Sequence, residues 1–126
     1  IASVNCAGLY GLSVLSDHVA NSDHNYTRFI CISKELEIYP GADKVSLMLN
    51  VPHRPGALYG MIARFAALGL NLTKLESRPI AGTDFEFMFY FDLNVSVYSP
   101  QLLQLLGELD DACEQFHYLG SYSEVI

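Results

Sequence analysis

Residues 84–93 constrain the fold of this chain more than any other stretch. Phe85, Phe87, Phe89 and Phe91 alternate there with Asp84, Glu86, Met88, Tyr90 and Asp92. Side chains of a strand point to opposite faces in turn, so a period of two predicts a β-strand with one aromatic and one mixed polar face. Four Phe on one side need cover. That face is expected to lie under helices rather than to serve as an aromatic platform for a ligand.

The flanking segments can supply the cover. Residues 44–51 are β-rich and read as a strand. In residues 56–68, Leu58, Met61, Ile62, Phe65 and Leu68 fall on one helical face, with Pro55 placed at the first turn and Gly69 as the stop. Residues 70–80 read as the next strand, followed by a tight connection at Ala81-Gly82-Thr83. Ser99-Pro100 opens a second helix whose Leu102, Leu105, Leu106, Leu109 and Cys113 point inward, and residues 116–122 close as a last strand. The order is βαββαβ. Two right-handed crossovers then give an α+β, ferredoxin-like fold, a four-stranded antiparallel sheet with both helices on one face. The other face carries Glu86, Met88 and Tyr90, and a homodimer is expected to cover it.

Ahead of this unit the pattern is weaker. Residues 1–21 read as a helix, with Leu9, Leu12, Leu15 and Val19 at helical spacing, although Gly8 and Gly11 oppose it. A turn cluster at 21–25 leads to residues 26–33, which read as a short buried strand. The organisation expected is a first segment at 1–35, a linker at 36–42 containing Pro40-Gly41, and a domain at 43–126. The first residue is Ile1 and the opening already reads as the inside of a structure, so a piece of a longer protein is expected.

Composition excludes several functions. A formal charge of −7 over 126 residues disfavours nucleic acid, whose phosphates need a basic face. No apolar run approaches the ~20 residues of a membrane-spanning helix. Cys6, Cys31 and Cys113 are odd in number and widely spaced, which reads as three reduced thiols in the cytoplasm. His18, His24, His53 and His117 show no ligand spacing, so neither a metal nor a cofactor is expected.

Two motifs suggest a ligand. Arg54-Pro55-Gly56-Ala57-Leu58-Tyr59 places a Pro-Gly turn at a helix start, where the amides of Ala57, Leu58 and Tyr59 lack helical partners and suit a carboxylate. Gly56, with no Cβ, lets a ligand come close. Glu76-Ser77-Arg78-Pro79 ends the second strand, with Glu76 and Arg78 on one face and Ser77 on the other. Such an arrangement can hold a small zwitterion. Each motif alone reads as ordinary structure, a helix start in one case and a solvated ion pair in the other.

Together, and in this order, the motifs resemble the ACT regulatory domain of prephenate dehydratases, which binds L-phenylalanine between two ACT domains. The resemblance runs over residues 45–122. It implies that Gly56, Ala57 and Leu58 hold the ligand backbone, that Asn71, Leu72 and Thr73 of the neighbouring copy line the pocket, and that Glu76, Ser77 and Arg78 shape the interface. Tyr59 stands where many relatives have Val, which bears on selectivity among Phe, Tyr and Trp. Asn25-Tyr26-Thr27-Arg28-Phe29 resembles a motif near the end of the catalytic domain of the same family. Thr27 and Arg28 are then implied as catalytic, in an incomplete site. A possible dimer-to-tetramer assembly and an upstream chorismate mutase domain stay open.

Two other readings remain. The regulatory domain of an aromatic amino acid hydroxylase shares the Glu-Ser-Arg-Pro pattern but not the Thr-Arg-Phe segment. A ligand-free ferredoxin-like dimerisation module would share only the shape. With most of the catalytic domain missing, this chain alone is expected to form no phenylpyruvate from prephenate. An absorbance assay of the purified chain checks this, and product above background contradicts it.

Overall fold

Val45, Leu47 and Leu49 have no exposed surface, and they set the centre of the sheet. The computed structural model describes residues 1–22, 26–80, 82, 86–113 and 115–125. Its elements are α1 (Asn5–Tyr10), β1 (Lys44–Asn50), α2 (Ala57–Ala67), β2 (Asn71–Pro79), β3 (Phe87–Asn94), α3 (Pro100–Ala112) and β4 (Phe116–Tyr122). Two units are separate by their internal contacts, Ile1–Ile32 and Ser33–Ile126.

The second unit is the ferredoxin-like α+β fold. Its four strands lie in the order β2-β3-β1-β4, and every neighbouring pair is antiparallel. Alternation along β1 sends Val45, Leu47 and Leu49 to one face, where Phe91 and Leu93 of β3 join them. Met61 and Phe65 of α2, and Leu102, Leu105 and Leu109 of α3, pack into the same core, so both helices cover one face. Phe65 meets Phe91 edge-on with ring centroids 5.1 Å apart, a favoured aromatic geometry.

Local chemistry ends α2 sharply. Gly69 adopts φ 70°, its amide donates to Ala66 O, and the amide of Leu70 donates to Phe65 O. This paired closure, the Schellman motif, satisfies the last helical carbonyls and turns the chain into β2.

A bulge between Leu72 and Lys74 decides which way β2 faces. Leu72 pairs with Leu93 on the helix-covered side, whereas beyond the bulge Leu75 pairs with Phe91 on that same side. Strict alternation from Leu72 would instead have put residues 74, 76 and 78 there. The extra residue turns Lys74, Glu76 and Arg78 to the open face, opposite Asp92, Tyr90 and Met88. On that face Asp92 is 6% exposed, and Ser46 Oγ donates to its Oδ1 at 2.5 Å.

Three expectations change. The first unit has one short helix, α1, rather than a helix over residues 1–21; Gly11 ends it at φ 63°. Residues 26–33 form no strand. Leu9, Leu12, Leu15, Val19, Phe29, Ile30 and Ile32 are all exposed, so among the described residues the apolar pattern meets no core to bury against and no strand to pair with. Pro55 precedes the helix rather than occupying its first turn, because Gly56 is the N-cap. Asp84, Phe85, Ala81 and Thr83 lie outside the described residues, and β3 is described from Phe87.

Phe65 is 1% exposed and joins helix to sheet, so Phe65→Ala should destabilise the fold by about 3–5 kcal/mol. Urea unfolding checks this; a loss below about 1 kcal/mol would show that the core is packed otherwise.

Candidate functional site

The chain leaves β1 at Asn50 and reverses into α2 through a tight turn. Pro55 presets φ, and Gly56 sits at φ 81°, ψ −8°, the values of the third residue of a type II turn. The amide of Ala57 closes it on Arg54 O at 3.2 Å. Only glycine takes that conformation without strain. Gly56 then caps α2 without a side chain, its carbonyl accepting from the Gly60 amide at 2.9 Å.

Of the three amides expected to be bare, that of Ala57 is therefore engaged by the turn. Those of Leu58 and Tyr59 have no hydrogen-bond partner among the described residues, and they carry the positive end of the helix dipole. No acidic residue stands in the first turn of α2 to occupy them.

Two hollows flank the turn. The first, of about 380 Å³, is walled by His53, Arg54, Pro55, Leu58, Phe87 and Phe89. His53 and Phe87 lie with ring centroids 6.4 Å apart. Phe87 and Phe89 face the helices, but α2 does not reach far enough to bury them, and both stay half-buried. The second, of about 410 Å³, lies on the α3 side and includes Gly56, Ala57, Gly60, Arg64 and Cys113. Burial pushes the Cys113 thiol up, and the Arg64 charge partly offsets this.

Ser77 pairs with Phe89 and Pro79 with Phe87, which brings the end of β2 beside the aromatic wall. On the opposite face Glu76 accepts from both neighbours: Lys74 Nζ is 3.1 Å from its carboxylate, and Arg78 Nη2 also pairs with it. The hydrogen bond from Lys74 foremost, and then the charge of Arg78, hold the Glu76 carboxyl below the usual range.

The candidates divide into two clusters. Gly56, Ala57, Leu58, Ser77 and Arg78 lie toward the turn end of the sheet, since Asn50 pairs with Met88 and Met88 with Arg78. Asn71, Leu72 and Thr73 begin β2 at the other end of the 11-residue helix α2, about 16 Å away at the helical rise. Leu72 packs against the core, and Thr73 Oγ1 donates to Asp92 O at 3.0 Å. One copy does not bring these clusters together. Thr27 and Arg28 belong to the first unit, exposed and in no helix or strand.

His53, Phe87, Phe89, Arg64 and Cys113 were not read as site residues from the sequence. Cross-strand register places Phe87 and Phe89 at the turn, the reach of α2 places Arg64 and the end of α3 places Cys113, whereas His53 precedes the turn in the same loop. The helical phase alone hinted at Arg64, four residues beyond Gly60.

Comparison with known proteins agrees with this architecture. A family model described as prephenate dehydratase matches residues 1–37. A bifunctional chorismate mutase/prephenate dehydratase of Aquifex aeolicus is 34% identical over 126 residues, covering all of this chain and 35% of the relative. Arogenate dehydratase 2 of Petunia hybrida is 33% identical, over 97% of this chain and 35% of the relative. The structure of a prephenate dehydratase from Arthrobacter aurescens in complex with L-Phe matches 73% of this chain and 30% of that one, with 29% identity and a TM-score of 0.62. The chain thus spans about a third of the length of the curated relatives it matches.

Because its folded-state pKa is depressed, the pairing of Glu76 is present at neutral pH and is lost as pH falls through that lowered value. In a carboxyl-detected NMR titration Glu76 should titrate below the ordinary glutamate range. Lys74→Met should raise its midpoint more than Arg78→Met does, and an unmoved midpoint in both variants contradicts the ladder.

Proposed function

We propose that this chain, related along its whole length to the prephenate dehydratases, is the effector-sensing part of such an enzyme. Residues 43–126 act as an ACT domain that binds L-phenylalanine, residues 1–35 are the end of the catalytic domain, and residues 36–42 link them. The observation that carries this reading is the turn at Gly56: it leaves two bare amides at a helix start next to a half-buried aromatic wall. A carboxylate and a phenyl ring, the two ends of one small amino acid, find chemically matched surfaces there. The solved relative with L-Phe supports the choice of ligand.

The separation of the two clusters supports an assembly of two copies. Gly56, Ala57 and Leu58 of one copy meet Asn71, Leu72 and Thr73 of a second copy running the opposite way, so the ligand sits between two chains and the working unit is a dimer. Glu76, paired with Lys74 and Arg78, lies on the open face of β2 near that interface. Ligand binding then favours one arrangement of the pair. If it favours the arrangement that closes the catalytic domains, L-phenylalanine acts as a feedback inhibitor; a coupling of about 1–3 kcal/mol is enough for such control.

In the parent enzyme prephenate loses carbon dioxide and its ring hydroxyl to give phenylpyruvate. Thr27 would donate a hydrogen bond to the departing oxygen and Arg28 would hold a carboxylate. The enzyme works as a lyase in phenylalanine biosynthesis, placed in the cytoplasm. Among the described residues no helix is long and apolar enough to cross a membrane.

Calorimetric titration with L-phenylalanine, with L-tyrosine, L-tryptophan and L-leucine as controls, tests the reading. Selective binding near one ligand per chain is expected. Gly56→Val should weaken it at least about tenfold, since a branched side chain at φ 81° strains the turn and enters the ligand's space. No binding by a folded dimer leaves the dimerisation module instead.

A further inference from the structure

The hollow on the α3 side of the turn has the wrong charge for an idle surface. The chain has seven Lys and Arg against fourteen Asp and Glu, yet Arg54 and Arg64 both line this one cavity, and none of the described residues lining it is acidic. Among the described residues neither guanidinium is in an ion pair. Helical side chains tilt toward the N-terminus, so Arg64 reaches back along α2 toward Gly60 and the turn. Gly56 and Gly60 line the hollow without side chains, and the space beside them is open.

We infer that this hollow is a carboxylate site, with Arg64 as its charged anchor and Arg54 beside it, and that the carboxylate it holds belongs to the effector. A guanidinium presents two parallel donors that fit a carboxylate, and here they add to the bare amides at the start of the same helix. The identity of the ligand rests on the effector reading above; the anion preference of the hollow stands apart from it. Selectivity follows: a ring without a carboxylate gains nothing from Arg64, so the site discriminates amino acids from aromatic amines.

Cys113 lies in the wall of the hollow and serves as a built-in reporter. The full chain is alkylated with iodoacetate and with iodoacetamide, and each cysteine is followed by peptide mass mapping, with exposed Cys31 as reference. The anionic reagent should gain on the neutral one at Cys113 relative to Cys31 at low salt, and Arg64→Met should remove that gain. Equal reagent preference at the two cysteines overturns the site. In parallel, Arg64→Met should weaken L-phenylalanine binding about 10- to 100-fold, the range for losing a charge-assisted hydrogen bond. Arg64→Lys should restore part of it. Phenylalanine binding that is unchanged in Arg64→Met overturns the anchor and leaves the effector reading intact. If the wild-type chain binds no phenylalanine but shows the alkylation preference, the effector reading falls and the anion site remains.

Discussion

The burial of β1 is the constraint on which the rest depends. It pairs with β3 on one side and β4 on the other, and three of its side chains have no exposed surface. A strand held so firmly fixes where Asn50 ends, and therefore where the turn at Pro55-Gly56 begins. The helix that follows must fall back over the same face to bury Met61 and Phe65. The bare amides of Leu58 and Tyr59 are thus presented at one end of the sheet by the packing of the core together with the Pro55-Gly56 turn.

The same packing explains why part of the aromatic face is open. α2 covers Phe91 completely but leaves Phe87 and Phe89 half-buried beyond its first turn. A core that ends one turn short of its sheet exposes apolar surface, which is costly unless something covers it. Here that surface borders the anion-friendly helix start. The two properties meet at one turn because both arise where the helix begins.

Much of the fold was legible because its signals are local. Alternation at residues 87–91 and the spacing Met61, Phe65, Leu68 each follow from a single element's geometry, and the elements formed where those periods predict. The first segment misled for the converse reason: Leu9, Leu12, Leu15 and Val19 have helical spacing but stay exposed, with no surface to pack on among the described residues, and periodicity reports a face without reporting its partner. The bulge at Leu72–Lys74 left no mark in the sequence, yet it decides that Glu76 and Arg78 face away from the core. Of the candidate site, the motif residues were legible, whereas Phe87, Phe89 and Arg64 entered through register and helix reach, which are three-dimensional properties.

The central claim is that one ligand site is shared between two copies, and a mixing experiment tests it directly. Chains carrying Gly56→Val and chains carrying Asn71→Ala are each prepared, unfolded together and refolded, and L-phenylalanine binding is measured. Neither variant alone should bind. In the mixture, dimers pairing one of each hold a site with an intact Gly56 and an intact Asn71, so binding should return with fewer sites than in the wild type. A mixture as inert as its components, from dimers shown to have exchanged, would contradict a site built from two chains.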